Sequence, residues 1–496
     1  MLGIVRDRLS RHSGIQGDES GRILRCASAL FFLFLSYYLV KPLRNSQFLT
    51  EFGPYALPWI YLVVSVASVV VTKVFQWCSA RFSRRQVVAG TFLWAISCKA
   101  FFFVALPQGG QAITALFYLW ASVYFLLLVS TLWGCLNERF RLDQCQRCFP
   151  FIALGSTIGN IAGASLAERL KHAGTFSLGY AALACFFSLL LLWRELAYPV
   201  QMKEATRAGD KLAGGFGWLA DRSLRAIAMM VLALAIYSTS TDFITQRRLD
   251  ASIGQAVYAE EIGPLWPDGY AEISALRNLP SARQEPTLRE LAQAHQLDAD
   301  QLVAHYGSYK SEFGNRLSGV FASIFQYQGI LGVLILGVLC RPFLRAFGLS
   351  AALIVMPTFA LCVTVVLMFP LDVMWVQVIL VLSGSLNYSF NNAAKEMLYT
   401  STDREAIIQA KPFIEGPLMR LGDVFCSVLT ILSGLTVARL GWARSWEEWL
   451  IVLPCALALC GWWVLVRRAG KAYQERGALF THEVPADESP EEALGS

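Results

Sequence analysis

Cys148-Phe-Pro-Phe-Ile-Ala-Leu-Gly155, followed by Gly159-Asn160, has a counterpart late in the chain: Ala410-Lys-Pro-Phe-Ile-Glu-Gly416, followed by Gly422-Asp423. In both places Pro-Phe-Ile opens an apolar run just after a charged gap. A second correspondence sets Tyr37 to Lys41 of the first apolar run beside Tyr237 to Asp242 of the seventh. Such weak internal similarity implies two related halves, the pattern of carriers whose site lies at the midplane between repeats.

The runs themselves demand lipid. Of 496 residues 55% are hydrophobic and 16% charged, and mean hydropathy is +0.47, whereas soluble domains carry about 25% charge. Crossing a ~30 Å hydrocarbon core takes about 20 residues. Runs of that length fall at roughly 23–47, 55–78, 86–106, 111–136, 149–168 and 174–194. They resume at roughly 223–247, 314–340, 349–369, 373–396, 407–437 and 449–467. The expected fold is an all-α polytopic membrane protein of about twelve spans in two six-helix halves, major-facilitator-like. The halves are 23–195 and 223–468, joined by a cytoplasmic linker at 196–222 and flanked by cytoplasmic tails at 1–22 and 469–496.

Basic residues set the orientation. Arg22 and Arg25 precede the first span; Arg81, Arg84 and Arg85 follow the second, Arg139 and Arg141 the fourth, Lys203 and Lys211 the sixth, and Arg467 and Arg468 the last. Opposite gaps such as Pro107 to Gln111 carry none, with Arg169, Lys171, Arg439 and Arg444 as exceptions. Both termini are therefore expected in the cytoplasm, and membrane lipid rather than nucleic acid accounts for the net charge of +6. The polar 251–312 segment is read as an extramembrane insert on the opposite side, with two short N-capped helices beginning at Thr287 and Asp298. It is a tolerated insertion or the seat of a protein partner.

No phosphate loop, His-Glu-x2-His or Gly-x-Ser-x-Gly motif occurs, so no enzyme chemistry, metal or cofactor is expected. Most of the twelve cysteines lie in apolar runs, where a thiol is a small hydrophobe, and Cys145 and Cys148 form a lone CxxC. Chemistry instead points to charge inside the spans, which costs about 2.5–3.5 kcal/mol at the centre on insertion scales. Lys41 and Arg44 flank Pro42, which is expected to break the first helix, and Lys99 lies within the third span. With Asn387 and Asn391, these are the candidate substrate-binding residues for an anionic small molecule. Asp242, Arg420 and Asp423 are candidate gating or coupling groups, although Arg420 and Asp423, three apart, are spaced to neutralise each other. Gly155, Gly159 and Gly163 repeat a small-xxx-small spacing that lets helices pack closely.

Several strings together resemble the ATP/ADP translocase family of intracellular bacteria and plastids and its wider bacterial relatives. They are Lys41-Pro-Leu-Arg-Asn, Leu132-Trp-Gly-Cys-Leu-Asn-Glu-Arg-Phe, Gln144-x2-Arg-x-Phe-Pro-Phe-Ile-Ala-Leu-Gly, Glu396-Met-Leu-Tyr-Thr, Gln409-Ala-Lys-Pro-Phe-Ile and Arg420-Leu-Gly-Asp. The resemblance implies a bacterial inner-membrane antiporter of ATP and ADP, or of another NTP/NDP pair. It departs from the exchangers in the fourth span, where no Asp or Glu occurs between Lys99 and Glu138. Two other readings stand beside it: an ion-coupled carrier of another anion with Asp242 as the protonation site, and a membrane scaffold or sensor acting through 251–312.

Overall fold

In hydrocarbon every backbone N–H and C=O has to be satisfied within its own segment, which leaves only helices for a chain with these runs. The computed structural model describes residues 17–140, 142–196, 221–399, 410–411, 413–443 and 445–482, and among them there is no strand. Residues 197–220 of the expected 196–222 linker and both chain ends lie outside the described residues.

The N-terminal half comprises α1 (Gly17–Phe52), α2 (Leu57–Arg81), α3 (Arg84–Ala105), α4 (Gln111–Arg139), α5 (Leu142–Arg169) and α6 (Phe176–Leu196). The C-terminal half begins with α7 (Arg222–Glu261). Two short helices, α8 (Tyr270–Leu276) and α9 (Ser281–Ala294), lead into α10 (Ala299–Leu334). A π turn joins α10 to α11 (Arg341–Val366). Then come α12 (Val373–Leu386), α13 (Asn392–Tyr399), α14 (Met419–Leu440) and α15 (Ser445–His482). Ten stretches of the described residues are long and apolar enough to cross a membrane. The longest, 299–366, breaks at Gly348, whose φ of 74° is a left-handed conformation open to glycine, and so holds two passes. With α5, which lies along α1, the chain makes two sets of six.

Three expectations change on inspection. Pro42 does not break α1, which runs unbroken from Gly17 to Phe52; neighbouring helices pack around it on several sides, and packed spans tolerate proline. The 251–312 segment holds two short helices, α8 and α9, but it is not bounded off from the spans as a separate insert. α7 extends to Glu261 and α10 starts at Ala299, so much of the segment is the continuation of two spanning helices. Asp298 is an N-cap, its carboxylate accepting from the amides of Asp300 and Gln301, but Thr287 lies inside α9, which starts at Ser281.

The helix faces follow their residues. Val63, Val66, Val70, Val74 and Trp77 leave one stripe of α2 exposed to lipid. Exposed Trp59, Trp375, Trp442, Trp446 and Trp449 gather at the end of the bundle that carries α8 and α9, and Trp77, Phe82 and Trp193 at the other, the two aromatic belts of a spanning protein. Inside the N-terminal half Leu30, Leu33, Phe92, Phe117, Leu128 and Cys185 share one buried core. The glycines of α5 are what bring α1 so close. A Cβ at Gly155 would stand 2.0 Å from the Ala27 carbonyl oxygen, one at Gly159 2.3 Å from that of Phe31, and one at Gly163 2.7 Å from that of Leu35. The counterpart string behaves alike: a Cβ at Gly422 of α14 would meet Ala235 of α7 at 2.6 Å. α5 also packs against α10, and α14 against α2, so the repeated strings form both seams between the halves.

Gly155→Val is therefore expected to cost about 3 kcal/mol or prevent assembly, read as loss of the monodisperse peak in detergent size-exclusion chromatography. Gly90→Ala, with open space at its Cβ position, should leave that peak unchanged.

Candidate functional site

A cavity of about 340 Å³ lies between the halves, bounded by α1, α2 and α4 on one side and by α7, α10, α12 and α14 on the other. Its charged lining residues are Lys41, Arg44, Asp242, Arg420 and Asp423. With Asn387, six of the eight residues singled out from sequence thus meet in one place.

The two N-terminal cations are held differently. The Lys41 ammonium makes no hydrogen bond to a described residue; it lies over the Phe325 ring of the opposite half at 3.9 Å, and near Tyr38 and Tyr37 at 5.4 and 5.8 Å. Ring faces offset part of the desolvation of a cation without occupying its three N–H donors. Arg44 donates from Nε and Nη2 to Asn45 Oδ1 at 3.0 and 2.7 Å and from Nη1 to Ser122 Oγ at 3.1 Å, above the Tyr118 ring at 4.7 Å. Those three bonds fix the guanidinium and leave two of its five N–H donors unused.

Across the cavity, Asp242 presents its carboxylate to the open space, and no described residue hydrogen-bonds to it. Asp423 is engaged: Arg420 Nη1 lies 3.0 Å from its Oδ2, and Thr239 Oγ1 donates to its Oδ1 at 2.9 Å. That pair is neutral as a unit. By formal count, Lys41 and Arg44 outnumber the unpaired Asp242 by one.

Two expected residues stand elsewhere. Lys99 is wholly buried inside the N-terminal half and does not line the cavity. Its helical phase explains this, since it falls on the stripe of Phe92, Ala95 and Phe102, all buried. Its ammonium lies over Tyr124 at 4.4 Å and Trp120 at 5.5 Å, with no oxygen or nitrogen partner. Asn391 is also behind the wall, donating to Asn387 Oδ1 at 3.0 Å. A π turn over Asn387–Asn391 shifts the helical register there and puts Asn387 and Tyr388, but not Asn391, on the lining.

Apart from Asn387, the neutral groups of the lining were not among the residues expected from sequence. Tyr61, Tyr118, Tyr237, Gln246, Gln328, Ser383 and Tyr388 line the cavity. Gln246 donates to Tyr61 Oη at 3.0 Å across the two halves, and the Tyr237 and Ser383 hydroxyls are 2.9 Å apart. Glutamines inside apolar spans were the available signal. At the α8–α9 end the halves are tied together. Lys310 pairs with Glu51 at 2.8 Å, and Gln111 Nε2 donates to the carbonyls of Glu51 and Leu279 at 3.2 and 3.0 Å.

No family model and no curated protein matches this sequence. Solved structures do share its fold. A mutant of the nucleoside transporter NupG superposes with a TM-score of 0.53 at 14% identity, covering 91% of this chain and 99% of that one. An auto-inhibited POT family peptide transporter gives 0.53 at 13%, covering 90% and 96%. The POT family transporter PepTSo gives 0.52 at 12%, covering 90% and 98%.

Because Lys99 lies outside the cavity, Lys99→Met, which keeps the length of the side chain and removes an unpaired buried charge, is expected to leave solute affinity within twofold and to hold or raise thermal stability in detergent. A large rise in KM with kcat unchanged would return Lys99 to the site.

Proposed function

We propose that this integral membrane protein, of major-facilitator-like fold, is an alternating-access carrier of a small anionic solute. The observation that carries the reading is the pair Lys41 and Arg44, two cations with unused donors facing a cavity enclosed by both halves. The anionic group is seated there, and hydroxyls, amides and tyrosine rings of the C-terminal half receive the remainder. A volume of about 340 Å³ falls at the lower end of the range for small-molecule sites, about 300–1,000 Å³.

A nucleotide is the first solute to test. Motif resemblance across both halves supports ATP/ADP exchange, and the tyrosines of the lining offer faces for a purine ring. In that reading the chain sits in a bacterial inner membrane with both termini cytoplasmic. Proteoliposomes loaded with ADP should take up labelled ATP, and empty ones should not; no nucleotide flux under either condition would remove nucleotides and leave other anions. Arg44→Gln and Lys41→Gln should each raise the apparent KM of the transported anion by about 10- to 100-fold, the worth of a charge-assisted hydrogen bond.

Asp242 favours a second reading. A carboxylate facing the cavity without a hydrogen-bond partner, opposite two cations, is placed to take up a proton and release them to the solute. Uptake into vesicles free of counter-solute, driven by an acid jump outside and abolished by Asp242→Asn, would establish ion coupling in place of exchange.

A further inference from the structure

A second cavity, of about 370 Å³, opens at the seam of α5 with α10, towards the end that carries α8 and α9. The N-terminal half contributes Glu168 and Lys171; the C-terminal half contributes Ser252, Arg316, Val320 and Val373 among others. Its depth is that of lipid headgroups. α5 ends at Arg169, α6 starts at Phe176 and α12 at Val373, and the nearby rings of Phe176 and Trp375 are 63% and 52% exposed.

The charges in this groove are unequal in their commitments. Arg316 is consumed by Glu260 and by Glu312, whose carboxylate lies 2.8 Å from Nε. Lys171 crosses the seam because Gly319 of α10 has no side chain; a Cβ there would come 2.9 Å from Lys171 Cδ. Its ammonium, and the Glu168 carboxylate three residues before it at the end of α5, make no hydrogen bond or ion pair with any described residue. A half-buried cation and a half-buried anion therefore face one groove without meeting, where burial would normally drive them together.

We propose that this groove binds the headgroup of a phosphatidylethanolamine-type lipid, its phosphate against Lys171 and Ser252, its ammonium against Glu168, and its acyl chains leaving over Val320 and Val373. A primary ammonium has three N–H donors for a carboxylate, whereas a choline headgroup has none and a glycerol headgroup brings no charge. The lipid spans both halves, so it stabilises the arrangement in which both walls are present. The inference does not depend on which solute is transported.

The test is lipid binding to the full-length chain by native mass spectrometry, with dioleoyl phosphatidylethanolamine, phosphatidylcholine and phosphatidylglycerol. The ethanolamine lipid should bind about tenfold more tightly than the choline lipid, one charge-assisted contact in worth. Glu168→Gln should erase that preference, and Lys171→Met should weaken both lipids; Glu168→Asp and Lys171→Arg, which keep the charges, should retain the preference and control for folding. Equal binding of the three lipids, or a preference that survives Glu168→Gln, would overturn the proposal. So would soluble phosphoethanolamine competing as well as the lipid, since the site would then belong to a free solute.

Discussion

Lys41 and Arg44 stand where they do because α1 is pressed against α5 along three glycines. Where the Ala27, Phe31 and Leu35 carbonyls lie within 2.0 to 2.7 Å of a would-be Cβ, the two helices can have only one rotation relative to each other. That rotation points one stripe of α1 into the N-terminal core, through Leu30 and Leu33, and another towards the midplane, through Lys41 and Arg44. α10 of the opposite half packs on the same helix and brings Phe325 over the Lys41 ammonium. In lipid, where the hydrophobic effect does not press helices together, small residues and close packing do that work.

Most of the architecture was written in the periodicity. Twelve apolar runs, two related strings and the small-xxx-small stripe lead to two six-helix halves and to a close contact on α5, whose partner α1 only the structure identifies. The missing part concerns direction rather than existence. A lysine within a span signals a special environment, but only helical phase decides which: Lys41 faces the cavity, while Lys99 shares the stripe of Phe92, Ala95 and Phe102 and ends in an aromatic core. Phase was readable at Lys99. It was not readable at Asn391, because a π turn moves the register by a fraction of a turn with no proline or glycine to announce it. The length of α7 and α10 was hidden too, since polar helix beyond a membrane looks like loop to a hydropathy count.

The halves are related but not equivalent. Among the described residues the π turns fall in the C-terminal half, at Ile335–Cys340, Asn387–Asn391 and Ile414–Leu418. Each widens one turn and loosens its hydrogen-bond ladder. The N-terminal half holds cations by regular helices and fixed partners, as Asn45 and Ser122 hold Arg44. The C-terminal half lines the same space with hydroxyls, amides and the Arg420–Asp423 pair. One side carries its cations on regular helices, and the other sets the unpaired carboxylate of Asp242 among neutral groups on adjustable backbone.

The continuation of α7 past the membrane also has a mechanical meaning. From the expected end of the span near 247 to Glu261 it adds about 20 Å of stiff rod at 1.5 Å per residue, and α10 runs back beside it. A rotation of roughly 10° about the point where the rod leaves the membrane would sweep its far end through roughly 3–4 Å. That is more than the length of a hydrogen bond. The contacts joining Leu279 and Lys310 to the other half lie near the foot of this rod, where Arg277 pairs with Asp250, whereas the Glu261 carbonyl at its tip meets His305 of α10. A small shift at the membrane face is therefore amplified at the far end, beyond the bonds that join the halves.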